Sequence, residues 1–329
     1  MESLNLPSHQ DVVAAAARLA GRVRRTPVLR HDAIDALAGA RVFVKAESLQ
    51  ETGSFKIRGA TNRLLQIPAA QRAAGVVAFS SGNHAQGVAR AARLLGMPAL
   101  IVMPADAPAV KADGVRADGG EIVFYDPDTE NREEIAARIA AERGAILVPS
   151  YDDFDIIAGQ GSSGLEFAAQ MAEAGETMDT LLCGAGGGGL ISGVALALEG
   201  VSPQTRIWTV EPEGYDDWAR SLASGRIEAN APGRRSVCDA ILTPKPGVLT
   251  FAIGKRLLSG GLVVSDEEAK NAMRVAFRYL KIVVEPGGCV ALAAALRGLP
   301  ESMRGGTVGL LVTGGNVDAD FYADVLTTA

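Results

Sequence analysis

Short apolar runs alternate with helical segments along almost the whole chain. The apolar runs are continuous, which is typical of strands buried on both faces of a parallel sheet. They cover residues 41–46, 75–80, 98–103, 121–125, 145–149, 179–184, 206–211, 261–265 and 307–315. Ala-, Arg- and Leu-rich segments with helical spacing lie between them, as in residues 85–96 and 134–144. This alternation predicts an α/β fold whose largely parallel sheets are covered by helices.

Two helix starts are recognisable from their capping residues. Ser8 precedes the alanine-rich segment 12–20, and Asp11 follows it by one turn. Ser265 precedes three acidic residues and then the segment 269–280. A hydroxyl at the N-cap and carboxylates in the first turn both stabilise the beginning of a helix. We therefore expect one helix to begin after each serine.

The composition argues against several classes of protein. A chain of 329 residues is long for one core and favours two packed lobes. Acidic residues outnumber basic ones by 38 to 32 without a basic stripe, so nucleic-acid binding is not expected. No apolar run approaches the roughly 20 residues that span a bilayer. Three widely spaced cysteines without a CxxC pair predict free thiols in a reducing cytoplasm rather than a zinc site.

The stretch ETGSFKIRGA, residues 51–60, contains a lysine in unusual company. Lys56 follows Phe55 directly and precedes a helix-like run. Taken alone, this arrangement fits a helix that happens to begin with a lysine. The alternative is that the amine does chemistry, and the remaining motifs favour it.

The stretch CGAGGGGLISG, residues 183–193, joins an apolar strand to a helix-like segment. Its four consecutive glycines, 186–189, expose backbone N–H groups that no side chain obstructs. Such groups at a helix N-terminus bind anions, most naturally a phosphate. A flexible loop is the alternative, although four glycines carry a considerable entropic cost. Neither a Walker loop nor a dinucleotide fingerprint is present.

Two further strands end in polar residues. SSGNHAQG, residues 80–87, places small hydroxyl residues, Gly82 and Asn83 before a helix, which suits a carboxylate. His84 could act as a ligand, but a single histidine without partners is more often structural. LLVTGGN, residues 310–316, ends a strand at Thr313, whose hydroxyl could contact a ring nitrogen.

Together these motifs resemble the fold-type II pyridoxal-phosphate (PLP) enzymes. The chain is most similar to the threonine/serine dehydratase and serine racemase group, and hydroxyaspartate dehydratases are also similar. The resemblance extends from RRTPVLR near residue 24 to GGN at 316. It implies a tryptophan synthase β-like fold with two lobes. The large PLP-binding domain would comprise residues 1–74 and 150–329, and residues 75–149 would form a small mobile domain.

The resemblance also implies roles for individual residues. Lys56 would hold the cofactor as a Schiff base and later act as the base at the substrate α-carbon. Phe55 would lie against the cofactor ring, Asn83 would contact its 3-hydroxyl, and Thr313 would meet the pyridine nitrogen. The backbone of Gly186, Gly187, Gly188, Gly189 and Leu190 would bind the phosphate. The substrate carboxylate would be surrounded by Ser80, Ser81, Gly82, Asn83 and His84.

The expected reaction is β-elimination of water from L-threonine or L-serine, which yields a 2-oxo acid and ammonia. A serine or aspartate racemase and a 3-hydroxyaspartate ammonia-lyase are the alternatives. Ser81 could exchange a proton on the face opposite the lysine, or simply bind the carboxylate. Ala240 and the sequence EPGG at 285–288 depart from the group's usual pattern near the cofactor's edge, which leaves the substrate open.

The stretch VEPEGYDDWARS, residues 210–221, resembles the metal site of one branch of this family. Glu211, the carbonyl of Tyr215 and Asp217 match its spacing. Oxygen ligands of this kind suit Mg²⁺, or alternatively Ca²⁺ or Mn²⁺. A solvated acidic turn is the other interpretation. The resemblance further implies an amino-acid substrate and a cytoplasmic homodimer.

Overall fold

Two sheets form the framework of the protein. The structure, a computed structural model, describes residues 4–80, 82–107 and 109–328. The strands in these ranges are β1 (Val28–Leu29), β2 (Arg41–Ala46), β3 (Val76–Phe79), β4 (Ala99–Pro104), β5 (Glu121–Tyr125), β6 (Ile146–Leu147), β7 (Thr180–Gly184), β8 (Arg206–Pro212), β9 (Leu258–Val264) and β10 (Thr307–Val312). The large sheet has the order β1-β2-β10-β7-β8-β9, and the small sheet has the order β5-β4-β3-β6.

Pairing in both sheets is parallel, apart from the antiparallel pair of β1 with β2. Every residue of β7 and β10 is buried, as expected for strands covered on both faces. The predicted α/β class with parallel sheets is therefore confirmed. The sequence pattern missed β1, because a strand of two residues is too short for periodicity to reveal.

Helices cover both sheets. In the described residues they are α1 (His9–Leu19), α2 (Asp32–Ala38), α3 (Lys56–Leu65), α4 (Asn83–Leu94), α5 (Ala109–Ala117), α6 (Arg132–Arg143), α7 (Phe154–Glu173), α8 (Gly189–Val201), α9 (Asp217–Ser224), α10 (Val248–Leu257), α11 (Asp266–Val275), α12 (Val290–Leu296) and α13 (Ala319–Thr327). Ser8 and Ser265 form capping boxes with Asp11 and Glu268, which confirms both predicted helix starts. None of the described helices combines the length and apolar composition needed to cross a bilayer.

Close packing of α7 against α8 fixes the beginning of α8. A Cβ atom on Gly193 would lie 2.3 Å from the carbonyl oxygen of Ile157, and one on Gly161 would lie 2.6 Å from the carbonyl oxygen of Gly193. Glycine is therefore required where the two backbones cross. This contact holds the glycine-rich segment that precedes α8 in place.

The predicted site segments all follow the carboxyl ends of parallel strands. Residues 80–84 come after β3, the glycine segment after β7, and Thr313 after β10. Lys56 begins α3, which β2 reaches through a short 3₁₀ turn at Glu47–Leu49. Because ligands of open α/β sheets bind at the carboxyl ends of strands, this arrangement brings the candidate residues together.

Candidate active site

A cavity of about 270 Å³ lies between the carboxyl ends of the two sheets. Its lining contains most of the residues singled out in the sequence: Phe55, Lys56, Ser80, Gly82, Asn83, His84, Gly186, Gly187, Gly188, Leu190 and Thr313. Gly189 is absent from the lining and forms the first residue of α8. Ser81 lies outside the described residues. The predicted metal ligands lie elsewhere, at the end of β8 and the beginning of α9.

Lys56 is held at the N-terminus of α3 with its amine facing this cavity. The N–H of Phe55 donates to the carbonyl of Thr313 at 3.1 Å, which attaches the segment to the end of β10. The Nζ of Lys56 donates to the carbonyl of Ser150 at 2.9 Å and lies 5.3 Å from the centre of the Phe55 ring. Burial lowers the pKa of Lys56 to about 8, although the Glu285 carboxylate opposes the shift. The neutral, nucleophilic amine is therefore far more abundant than in an exposed lysine.

The glycine loop, residues 186–189, has its carbonyls turned towards buried donors. The Trp218 indole N–H donates to the Gly186 carbonyl at 2.6 Å, and the Thr250 hydroxyl donates to the Gly187 carbonyl at 2.7 Å. Gly188 caps α8 with a φ of 94°, in the left-handed region. The first N–H groups of α8 have no acceptor inside the helix, so they are available to an anion.

Side chains on this loop would collide with neighbouring aromatic rings. A Cβ atom on Gly187 would lie 2.3 Å from the ring of Tyr151, and one on Gly188 would lie 2.1 Å from the ring of Trp218. Glycine is therefore required by packing as well as by backbone conformation. The resulting backbone cradle fits the phosphate of the expected cofactor.

Asn83 has a fixed amide orientation. Its Nδ2 donates to Oε1 of Glu285 at 2.5 Å, and its Oδ1 accepts from Nδ2 of Asn316 at 2.8 Å. An amide nitrogen carries two donors, so one N–H remains available after the contact with Glu285. A ring oxygen of the expected cofactor fits this remaining donor.

Thr313 presents a hydroxyl at the end of β10. Its backbone is fully used, because its N–H donates to the Gly288 carbonyl and its own carbonyl accepts from Phe55. The hydroxyl lines the cavity and has no hydrogen-bond partner among the described residues. It could therefore contact a heteroaromatic nitrogen, as the resemblance implies.

His84 is buried and neutral. Its Nε2 lies 3.1 Å from the carbonyl of Val148, and because a carbonyl can only accept, Nε2 carries the proton. Burial lowers the pKa of His84 to about 3, and the nearby Lys56 contributes to the shift. The other nitrogen, Nδ1, is buried without a partner in the described part of the chain. In this tautomer Nδ1 can only accept, so it cannot donate to a carboxylate. The role of His84 in carboxylate binding stays a prediction.

Lys111 is a buried cation of the cavity that the sequence did not single out. Its Nζ donates to Asp239 at 2.5 Å and lies 3.8 Å from Oε2 of Glu285. The pKa of Glu285 is raised to about 7 by burial, and Lys111 limits the rise. Lys111 and Asp239 are 128 residues apart, so no local pattern could have paired them.

Arg132 and Tyr151 also line the cavity without having been recognised in the sequence. The Arg132 guanidinium lies 5.5 Å from the centre of the Phe79 ring. Arg138 on the same helix pairs with Glu142, whereas Arg132 forms an ion pair with no carboxylate of the described residues. Arg132 is therefore a cation of the cavity with its charge still unmatched.

The acidic pair at the end of β8 is buried rather than solvated. Both carboxylate oxygens of Glu211 accept backbone N–H groups, from Trp218 at 2.7 Å and from Ala219 at 2.9 Å. Oδ2 of Asp217 is buried without a partner in the described residues. Burial raises the pKa of Asp217 to about 6 and that of Glu211 well above its usual value, with Asp217 adding to the shift of Glu211.

Two buried carboxylates with an orphaned oxygen suit a small oxygen-binding dication. The described residues contain no cluster of three or more His, Cys, Asp or Glu side chains arranged as metal ligands. The predicted set has only two such side chains, with the Tyr215 carbonyl as its third member. The residues present fit the implied cation, and the site itself stays a prediction.

The chain is similar to known proteins over nearly its whole length. The chain is 48% identical to an L-threo-3-hydroxyaspartate ammonia-lyase from Pseudomonas sp, over 98% of this chain and 99% of that protein. Among solved structures, maize serine racemase gives a TM-score of 0.90 at 38% identity, covering 97% of this chain and 96% of the other. A threonine deaminase from T.th. gives 0.89 at 44% identity, covering 95% and 99%. The family model described as "Pyridoxal-phosphate dependent enzyme" matches residues 19–314, and the chain belongs to that family.

Proposed function

We propose that the protein is an ammonia-lyase that removes water from 3-hydroxyaspartate and releases ammonia and a 2-oxo acid. The first expectation from the sequence was L-threonine or L-serine, with 3-hydroxyaspartate as an alternative. The comparisons favour the alternative, because a relative with 48% identity bears the name L-threo-3-hydroxyaspartate ammonia-lyase. The observation in this chain that carries the proposal is Arg132.

Arg132 stands apart from the other charges around the cavity. The described lining contains three cationic side chains, those of Lys56, Lys111 and Arg132. Lys111 is already neutralised by Asp239 and Glu285. 3-Hydroxyaspartate carries a second carboxylate, which threonine and serine lack. A guanidinium matches a carboxylate with two parallel hydrogen bonds, so Arg132 would select the dicarboxylate.

The other residues would position the reactants. Bound pyridoxal phosphate would supply an electron sink for the pair left behind when the α-proton is removed. The amine of Lys56 would hold the cofactor and carry the α-proton. The glycine loop would bind the phosphate through its N–H groups, while Asn83 and Thr313 would fix the ring.

The substrate proposal is tested by comparing Arg132→Gln with the parent protein. We expect kcat/KM for L-threo-3-hydroxyaspartate to fall by about 10²-fold, because a hydrogen bond to a charged group contributes about 1.5–3 kcal/mol. The parent should release 2-oxo acid and ammonia from this substrate faster than from L-serine or L-threonine. Oxo-acid formation and ammonia release provide the measurement.

Arg138→Gln on the same helix is the matched control, since Arg138 is exposed and paired with Glu142. Its kinetics should match those of the parent. A parent that prefers serine or threonine would contradict the substrate assignment. Equal losses on serine and on hydroxyaspartate in Arg132→Gln would show that Arg132 does not read the second carboxylate.

Glu211, the Tyr215 carbonyl and Asp217 are proposed to hold Mg²⁺, or alternatively Ca²⁺ or Mn²⁺. Support comes from the burial of both acids and from the orphaned oxygen of Asp217. Racemisation through Ser81, a homodimer and a cytoplasmic location stay predictions from the sequence. A Ser81→Ala variant should lose racemisation much more than elimination, and chiral analysis of residual substrate would measure this.

A further inference from the structure

Trp218 lies between the acidic pair and the glycine loop and contacts both. Its backbone N–H donates to Oε1 of Glu211 at 2.7 Å, and its indole N–H donates to the carbonyl of Gly186 at 2.6 Å. The side chain is fully buried. A single residue therefore joins an acid expected to hold a cation to the loop expected to hold a phosphate.

The indole has little freedom to move. A Cβ atom on Gly188 would lie 2.1 Å from its Cζ2, and one on Gly254 would lie 2.5 Å from its Cζ3. The Phe251 ring packs against it with a centroid separation of 6.1 Å. A shift of the Trp218 backbone would therefore press the indole against the glycine loop or break its hydrogen bond to Gly186.

Glu211 controls where the backbone of Trp218 lies. Trp218 and Ala219 occupy the first turn of α9, where N–H groups lack intrahelical acceptors, and the two oxygens of Glu211 bind both. Asp217 begins the same turn and carries the second buried carboxylate. A cation held by these two carboxylates would offset their repulsion and would hold Glu211 against α9.

A buried tryptophan can also be a simple core residue whose N–H has found a partner. Trp208 provides a comparison within this chain, because it is half-buried on β8 and its indole N–H has no partner among the described residues. Trp218 differs, since its two N–H groups bind two different candidate sites. The bond to Glu211 belongs to the backbone at position 218, whereas the bond to Gly186 depends on the indole.

We propose that Trp218 is a positioning residue that couples cation binding at Glu211 and Asp217 to phosphate binding by the glycine loop. The inference rests on the proposed function, including its metal site. A bound cation holds the start of α9 and thereby the position of Trp218. The indole then keeps the Gly186 carbonyl turned away from the phosphate site. The N–H groups of the loop stay directed at the phosphate. By linkage, the phosphate group must strengthen cation binding by the same factor.

The test is a coupling measurement on apoprotein, because only measured coupling establishes a path between two sites. The dissociation constant of pyridoxal phosphate is measured with and without Mg²⁺ in the parent, in Trp218→Phe and in Trp208→Phe. We expect Mg²⁺ to tighten binding at least fivefold in the parent and in Trp208→Phe, which is about the low end of typical couplings. Trp218→Phe keeps most of the ring but lacks the indole N–H, so its ratio should fall below twofold.

Further measurements show whether the coupling depends on the phosphate group and whether Trp218→Phe leaves the cation site intact. Mg²⁺ affinity measured by calorimetry should stay within about threefold of the parent in Trp218→Phe without pyridoxal phosphate. Pyridoxal, which lacks the phosphate, should show no Mg²⁺ effect in any variant. In the Trp208→Phe background, where Trp218 is the sole indole, Mg²⁺ should shift the tryptophan emission, and this reading does not depend on the folding of Trp218→Phe.

Three results would overturn the inference: parental coupling in Trp218→Phe, a Mg²⁺ effect as large for pyridoxal as for pyridoxal phosphate, or an unchanged emission when Mg²⁺ binds. A parent that binds pyridoxal phosphate but no Mg²⁺ would also overturn it, while leaving the ammonia-lyase proposal in place. A parent that binds Mg²⁺ but no pyridoxal phosphate would overturn both.

Discussion

Two buried lysines of this protein differ in how their amines are satisfied. Nζ of Lys45 donates to the Thr26 carbonyl and to Gln170, both at 2.7 Å, and to Glu166 at 2.5 Å. Nζ of Lys56 donates only to the Ser150 carbonyl among the described residues. Burial lowers the pKa of both amines. Both lysines are buried, but only the Lys56 amine lines the cavity and keeps two of its three N–H groups without a partner in the described residues.

The surroundings of the two lysines extend this contrast. Lys45 belongs to a buried ionic cluster, which we define as Lys45, Glu47, Arg58 and Glu166 and whose formal charges sum to zero. Arg58 donates to both oxygens of Glu47 at 2.8 Å and to both oxygens of Glu166 at 3.2 Å. Arg58 lies two residues after Lys56 on α3. The ionic cluster thus anchors the helix that carries Lys56.

Lys56→Ala is expected to have the largest effect on activity. In the proposed role of Lys56, its removal would cost the cofactor its covalent attachment and the α-proton its base. Elimination should fall by at least about 10⁴-fold, the upper range for a general base. The visible absorption of the cofactor-bound protein should change at the same time. Lys45→Met is the matched control, and it should lower stability while preserving that absorption. Loss of the absorption in Lys45→Met and its retention in Lys56→Ala would contradict the assignment of Lys56.

Arg58→Met should have the largest effect on stability. It leaves Glu47 buried without its cation, and breaking one side of a buried pair costs about 3–5 kcal/mol. Chemical denaturation measures this loss. The exposed pair of Arg143 with Glu121 is the control, and Arg143→Met should cost about 1 kcal/mol or less. Equal losses in the two variants would show that the ionic cluster does not anchor the fold.

Chelation should lower stability by a smaller amount. Oδ2 of Asp217 is buried without a partner in the described residues. A cation there would balance the buried carboxylates of Asp217 and Glu211, as Glu166 balances the charge of Lys45. A ligand at 100 times its dissociation constant stabilises the folded state by about 2.7 kcal/mol. Removing Mg²⁺ should therefore lower the melting temperature by several degrees, and adding it back should restore it. No change, with no metal by elemental analysis, would contradict the site.

The pH dependence of cofactor capture should show the smallest effect. Capture needs the neutral amine of Lys56, whose pKa is lowered to about 8 in the folded protein. The capture rate should rise about tenfold per pH unit below 8 and level off above it. The unfolded chain keeps this proton up to the ordinary lysine pKa of 10.5. The free energy of unfolding should therefore rise as the pH increases from 8 to about 10.5. A capture midpoint near 10 would indicate an amine like that of an exposed lysine.

The sequence predicted the parts of the site that lie in single stretches. Lys56, the glycine loop and Thr313 each belong to a short motif after a strand, and the resemblance to PLP enzymes implied that these motifs form one site. The α/β class followed from the same pattern. The proposed domain boundaries at residues 75 and 149 stay a prediction, although the strands of the small sheet all lie between them.

The residues of the cavity that the sequence did not reveal were missed for one physical reason. Arg132, Lys111 and Asp239 come from segments without local motifs, and only packing between the two sheets brings them to the cavity. The segment EPGG at 285–288 was expected near the cofactor. The contact of its Glu285 with Asn83 could not be predicted, because the two residues are 202 positions apart in the sequence. Trp218 lies in the acidic stretch, but its contacts with Glu211 and Gly186 could not be predicted from the sequence, because they depend on the tertiary structure.

Mapping the attachment site of the cofactor tests the central claim most directly. The holoprotein would be reduced with borohydride, digested and analysed by mass spectrometry. Lys56 should carry the reduced pyridoxyl group, and neither Lys111, which lines the same cavity, nor the buried Lys45 should carry it. A pyridoxyl group on Lys111, or none on Lys56, would contradict the account.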